Sequence, residues 1–95
     1  MHTQSAKLTF RIPHATSLKD KRQVTRSLID KSRKRFNASI AEVATQDVHQ
    51  VLTIGIATVS GTASHAQNAI DEIIRYMDEH ADADLVEVVS GEVYC

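Results

Sequence analysis

The residue types in this 95-residue chain that could carry metal binding or covalent chemistry are five histidines, one cysteine and three close pairs of carboxylates. His2, His14, His49, His65 and His80 are scattered, and no two stand three or four residues apart on a predicted helix, the spacing that turns two imidazoles toward one metal. No metal and no cofactor is therefore expected. His14 falls in a strand-to-helix loop, where a phosphate contact and a solvated histidine are both open readings. His65 belongs to the first turn of a helix. Cys95 has no positioned base and sits where a chain frays, which makes it a poor nucleophile, and a single thiol excludes an internal disulfide and a multi-thiolate zinc site. The acids Asp71-Glu72, Asp78-Glu79 and Asp82/Asp84 read as a solvated face, because adjacent residues on a helix point apart. Gly55 and Gly61 stand alone, so no phosphate loop or dinucleotide fingerprint is present. The Pro13–Ser17 loop lacks the glycine and arginine that an acylphosphatase-like anion cradle needs. The expectation is a protein that is not an enzyme.

One feature carries a physical functional reading. The net charge of −1 conceals a strong asymmetry: residues 1–36 hold ten basic residues against two acids, a balance of +8, and residues 37–95 hold one arginine against ten acids, a balance of −9. Most of the positive charge falls on one predicted helix. At 100° per residue, Lys19, Arg22, Arg26 and Arg33 gather in a sector about 60° wide, which suits phosphate contacts and counterion release. The alternative is surface charge paired locally, Asp30 with Arg26 or Lys34 or other cations of this helix with acids of the second helix, at about 0.3–0.5 kcal/mol per pair.

The elements that must position these residues follow from periodicity. Ala6 to Ile12 alternates, with Ala6, Leu8, Phe10 and Ile12 on one side, as in a half-buried strand. Ser17 followed by Asp20 resembles a capping box, so a helix starts near Leu18 and runs to about Arg35, its inner stripe containing Leu18, Thr25, Leu28, Ile29, Ser32 and Phe36. Asn37 ends it. A strand over residues 38–44, a central strand over Val51–Val59, a helix to about His80 and a last strand from Leu85 toward Tyr94 complete the order β-α-β-β-α-β. That order implies an α+β, ferredoxin-like sandwich: one domain over residues 1–95, a four-stranded antiparallel sheet with both helices on one face. The third and fourth strands carry apolar residues on both sides, so the open sheet face is expected to meet a second copy. Stacking aromatics of the kind an RRM-type sheet uses are missing where Ile54, Gly55 and Ile56 stand, so binding is expected to follow charge and shape.

The segments Ile12-Pro-His-Ala-Thr-Ser-Leu-Lys-Asp-Lys-Arg22, Ser27-Leu-Ile, Arg35-Phe-Asn37, Ala41-Glu-Val43, Gln46-Asp47 and Gly55-Ile-Ala together resemble the YlxP-like family of small bacterial proteins. The likeness covers nearly the whole chain. It implies a ferredoxin-like fold, frequent dimerisation, no established enzymatic activity, and a genomic setting among transcription and translation-initiation genes beside a ribosome-binding factor. Carried onto this chain, the motif positions are Pro13, Ser17, Leu18, Lys19, Lys21, Arg22, Arg35, Phe36, Asn37, Glu42, Gln46 and Asp47. Ser17, Leu18, Phe36 and Asn37 read as structural, leaving Lys19, Lys21 and Arg22 for a ligand. Glu42, Gln46 and Asp47 are expected to cap the turn between the second and third strands or to make a polar contact at a dimer edge.

These readings combine into one expectation. The protein touches structured RNA or a ribosomal particle through Lys19, Lys21, Arg22, Arg26 and Arg33, as a cytoplasmic homodimer with no membrane segment. A protein- or small-molecule-interaction module is the alternative.

Overall fold

A computed structural model describes residues 1–92; Val93, Tyr94 and Cys95, with the expectations that fall on them, lie outside the described residues. The chain runs β1 (His2–Arg11), α1 (Leu18–Arg35), β2 (Ser39–Ala44), β3 (Val51–Ser60), α2 (Ala63–His80) and β4 (Asp84–Glu92). The four strands form one sheet in the order β2-β3-β1-β4 with every neighbouring pair antiparallel. This is the ferredoxin-like arrangement expected from the sequence, and each βαβ crossover spans one intervening strand position.

Alternation in β1 does what its pattern dictates. Ala6, Leu8, Phe10 and Ile12 are buried and meet Leu52, Ile54 and Ile56 of β3 and Leu28, Ile29, Ile70, Ile73 and Met77 of the helices. Each of these side chains except Ala6 contributes about 1.5–3 kcal/mol relative to exposure, so this single layer between sheet and helices holds the domain together. β1 starts at His2, earlier than its alternation suggested. Ten-residue β3 offers ladder partners as far as His2↔Ser60, and the Gln4 amide donates to Gln67 of α2, which ties down a segment whose polar composition gave no strand signal. Gly55 is required by packing: a Cβ there would lie 2.7 Å from Val43 Cγ1.

Helix α1 begins at the predicted cap. Ser17 is extended, and its hydroxyl accepts from the Asp20 backbone N–H at 3.2 Å. The Asp20 carboxylate reaches back one residue further than a capping box requires and accepts from the Thr16 N–H at 3.0 Å and the Thr16 hydroxyl at 2.8 Å. The Thr16 backbone N–H, followed by its hydroxyl, holds the Asp20 carboxyl below the usual aspartate range. A depressed carboxyl stabilises the fold above its unfolded pKa and ceases to do so as pH falls through its folded value. Asp20→Asn is therefore expected to make thermal stability fall less steeply with acidification below the ordinary aspartate range, as read by melting curves at stepped pH. An acid limb identical to that of the parent would show that the Thr16 contacts contribute nothing.

Candidate nucleic-acid interface

The five cations expected to meet a ligand, four from one helix sector and Lys21 from the family motif, do not stay together in the structure. Lys19, Arg22 and Arg26 are exposed on α1, where the helix passes over the edge strand β2. Lys21 is not on that surface. It is 2% exposed, and its ammonium is shared among three acceptors: the Thr45 carbonyl, the Val48 carbonyl at 2.9 Å and the Glu42 carboxylate at 3.0 Å. With the ammonium buried, donating to two carbonyls and held at ion-pair distance from Glu42, Lys21 does not serve an external phosphate. The reason lies in the helix itself, since residues 21, 25, 28 and 32 repeat at four, three and four and share one face.

Arg33 is also partly engaged. Its Nε and Nη2 both donate to the Ile40 carbonyl of β2, at 3.1 and 2.6 Å. The residue is exposed overall and lines the same shallow groove as Arg22 and Arg26, but its fork is fixed on the edge strand. This groove of about 360 Å³ is also lined by Thr25, Ile29 and Ala41 and by the acids Asp30 and Glu42.

Glu42 answers Lys21. Its Oε2 is buried and has no hydrogen-bond partner among the described residues beyond the ion pair. The turn that Lys21 grips is unusual in its backbone. Thr45 has φ of 58°, the left-handed region that costs a side chain with a branched Cβ on the order of 1–2 kcal/mol. Lys21 on the Thr45 carbonyl, together with the Thr45 hydroxyl against the Ala44 carbonyl at 2.7 Å and Thr53 Oγ1 at 2.9 Å, holds that conformation. Glu42 bears on the turn only through its ion pair with Lys21 and does not cap it. Gln46 and Asp47 are exposed in the same turn, and their side chains make no hydrogen bond among the described residues.

Local pairing of the helix charges is not what the structure shows. Among the described residues the ion pairs within 4 Å are Lys21–Glu42 and the exposed pair His14–Asp82 at 3.3 Å. Neither Asp30 nor the acids of α2 reach Lys19, Arg22 or Arg26. Where the two helices do meet, the contact is aromatic: Phe36 lies edge-on to Tyr76 at 5.3 Å, His80 stacks on Tyr76 at 4.1 Å, and the Arg35 guanidinium sits 5.3 Å from the Tyr76 ring. Sequence spacing gave no hint of this cluster, because Phe36 comes from one helix end and Tyr76 from the outer side of the other.

The sheet order converts the sequence asymmetry into a spatial one. The basic helix lies over β2 at one lateral edge, and Asp84 and Glu87 lie on β4 at the other. No helix among the described residues is long and apolar enough to cross a membrane, and no group of three or more potential metal ligands is present among them.

Comparison with known proteins bears on the fold and on descent. Over 97% of this chain and 85% of the other, the backbone is similar, with a TM-score of 0.57 and 18% identity, to a de novo designed protein with ferredoxin fold solved by solution NMR. The sequence is 33% identical over 64 residues, 67% of this chain and 70% of the relative, to the uncharacterized protein YlxP of Bacillus subtilis (strain 168). Residues 3–90 match the model of the family described as "Protein of unknown function (DUF503)". That match takes in α1, the Lys21-gripped turn and nearly all of the sheet, and the chain belongs to this YlxP-like family.

Proposed function

We propose that this protein is a non-enzymatic accessory factor that binds structured RNA, such as that of a ribosomal particle or its precursor, through Lys19, Arg22 and Arg26 of α1. One observation carries the reading: these three exposed cations share a helix sector and have no carboxylate within 4 Å among the described residues. A charge that served the fold would be paired, as Lys21 is. Unpaired cations on a rigid helix are positioned for phosphates, and the acidic edge at β4 repels a polyanion that approaches the wrong way round. Cosedimentation with ribosomal particles from the protein's own lysate tests this at low and moderate salt. Association that weakens with salt and is lost in Arg22→Glu/Arg26→Glu is the expected outcome; protein free at the top of every gradient would sink it.

A homodimer through the open sheet face is the second reading, favoured by a shallow trough of about 870 Å³ across all four strands. Its floor is made of small residues, Ser5, Ala41, Gly55, Ala57 and Gly91, and the exposed valines Val43 and Val89 stand beside it. Knobs and a small-residue floor on one face are what a self-complementary interface requires. Val43→Asp is expected to convert a dimer to a monomer by light scattering with the fold retained. A parent chain that is already monomeric at micromolar concentration would remove the dimer.

A further inference from the structure

The two lateral edges of the sheet are not equally protected. At β2 the edge is guarded three times over: α1 packs on it, Arg33 occupies the Ile40 carbonyl, and the register shifts between Glu42 and Ala44, leaving Val43 as a bulge. These are the devices by which natural sheets prevent another strand from pairing. β4 has one of them. Its register shifts opposite Thr9/Phe10, near Val86, and from Glu87 to Glu92 it pairs regularly with β1 and offers its other side unpaired. The side chain bonded to its backbone among the described residues is Ser5 of β1, on the Gly91 carbonyl, inside the sheet.

The side chains of β4 are as open as its backbone. Val86, Val88 and Val89 are 58%, 40% and 49% exposed. Val88 pairs with Leu8 on the helix side and Val89 with Lys7 on the open side, so both faces of the strand present branched apolar surface. The helices pack chiefly on β1, β3 and β2, and β4 leans mainly on β1, with Leu85 at its start packed against the core. The flanking charge is acidic, from exposed Asp82, Asp84 and Glu87.

We propose that β4 is a strand-addition site for an extended, basic segment of a partner protein, one in which Lys or Arg alternates with branched apolar residues. Main-chain hydrogen bonds to the Glu87–Glu92 edge supply the docking, Val88 and Val89 supply the apolar contact, and Asp84 and Glu87 select a cationic strand. A second copy is the poorer fit. Pairing β4 with another β4 sets two acidic strands side by side, and pairing it with another copy's β2 meets the guarded edge. The site lies across the sheet from α1 and stands independently of the RNA reading.

The test uses the whole chain, 15N-labelled, titrated with a synthetic peptide of alternating Lys and Val and with its Glu/Val counterpart. The Lys/Val peptide is expected to shift the amides of Glu87–Gly91 and slow their hydrogen exchange, and to bind at least about tenfold more tightly than the Glu/Val peptide. Glu87→Lys, at an exposed position where the amide spectrum itself reports folding, is expected to remove or reverse that preference. Four outcomes would overturn the proposal: shifts confined to α1 or the sheet face, equal response to both peptides, no shift at millimolar peptide, or β4 shifts that follow protein concentration without peptide, which would make a second copy the occupant.

Discussion

Lys21→Ala is expected to destabilise the domain by about 3–5 kcal/mol, the cost of removing one partner from a buried ion pair. Removing the ammonium strands three acceptors at once: the buried Oε2 of Glu42 and the carbonyls of Thr45 and Val48. A domain of this size has on the order of 5–15 kcal/mol in total, so the loss is a large fraction of the whole. The melting temperature should fall by about 12–40 °C, given roughly 4–8 °C per kcal/mol for domains near this length. The turn should loosen first. Thr45 occupies the left-handed region while Lys21 holds its carbonyl, so exchange of the Gln46–Gln50 amides is expected to rise well before global unfolding. A variant that melts within a few degrees of the parent would show that water replaces the ammonium without cost.

The same geometry sets the sign of a double substitution. Lys21→Met alone leaves Glu42 charged and uncompensated, whereas Lys21→Met/Glu42→Leu removes both charges and should recover part of the loss. Recovery is incomplete because the two carbonyls still lack a donor. The pair should therefore show a coupling of about 1–3 kcal/mol in a double-mutant cycle, and additive losses would contradict the ion pair as a unit.

Lys21 also shows where the sequence was readable and was misjudged. Its place at four, seven and eleven residues from Thr25, Leu28 and Ser32 puts it on the inner stripe of α1, a signal present in the spacing and overridden by its residue type. Buried lysines are rare, so residue type argues against position here, and the family motif places Lys21 beside the exposed Lys19 and Arg22. Arg33 was less accessible to sequence reasoning. Its engagement depends on β2 passing beneath it, a tertiary fact that helical angles do not contain. The fold was legible almost throughout, because Leu8, Phe10, Leu52, Ile54, Ile70, Ile73 and Met77 follow the periods of strand and helix without exception. The apolar doubling of β3 and β4 was legible as well, but it had two causes. On β3 the outer positions are buried Thr53, half-buried Gly55 and Ala57, and exposed Val59 at the strand end, whereas on β4 exposed valines stand on both sides of an edge strand. Sequence order alone does not say which strand lies at the edge.

With Lys21 held inside and Arg33 on Ile40, the RNA reading rests on fewer contacts and becomes sharper. Arg22→Glu/Arg26→Glu is expected to weaken binding to structured RNA about 100-fold or more at low salt, from two charge-assisted contacts of about 1.5 kcal/mol each. The salt dependence carries the mechanism. Three phosphate contacts give a slope of log affinity on log salt of roughly −2 to −3, and the double variant should flatten it by about two contacts. Lys31→Glu/Lys34→Glu separates a site from a field: it changes net charge by the same amount, on exposed residues of the same helix that point away from the Arg22–Arg26 sector. General attraction of a basic helix predicts equal losses in the two variants. A positioned stripe predicts that the Arg22/Arg26 variant loses affinity and slope together while the Lys31/Lys34 variant loses mainly association rate, because long-range steering depends on total charge and contact does not.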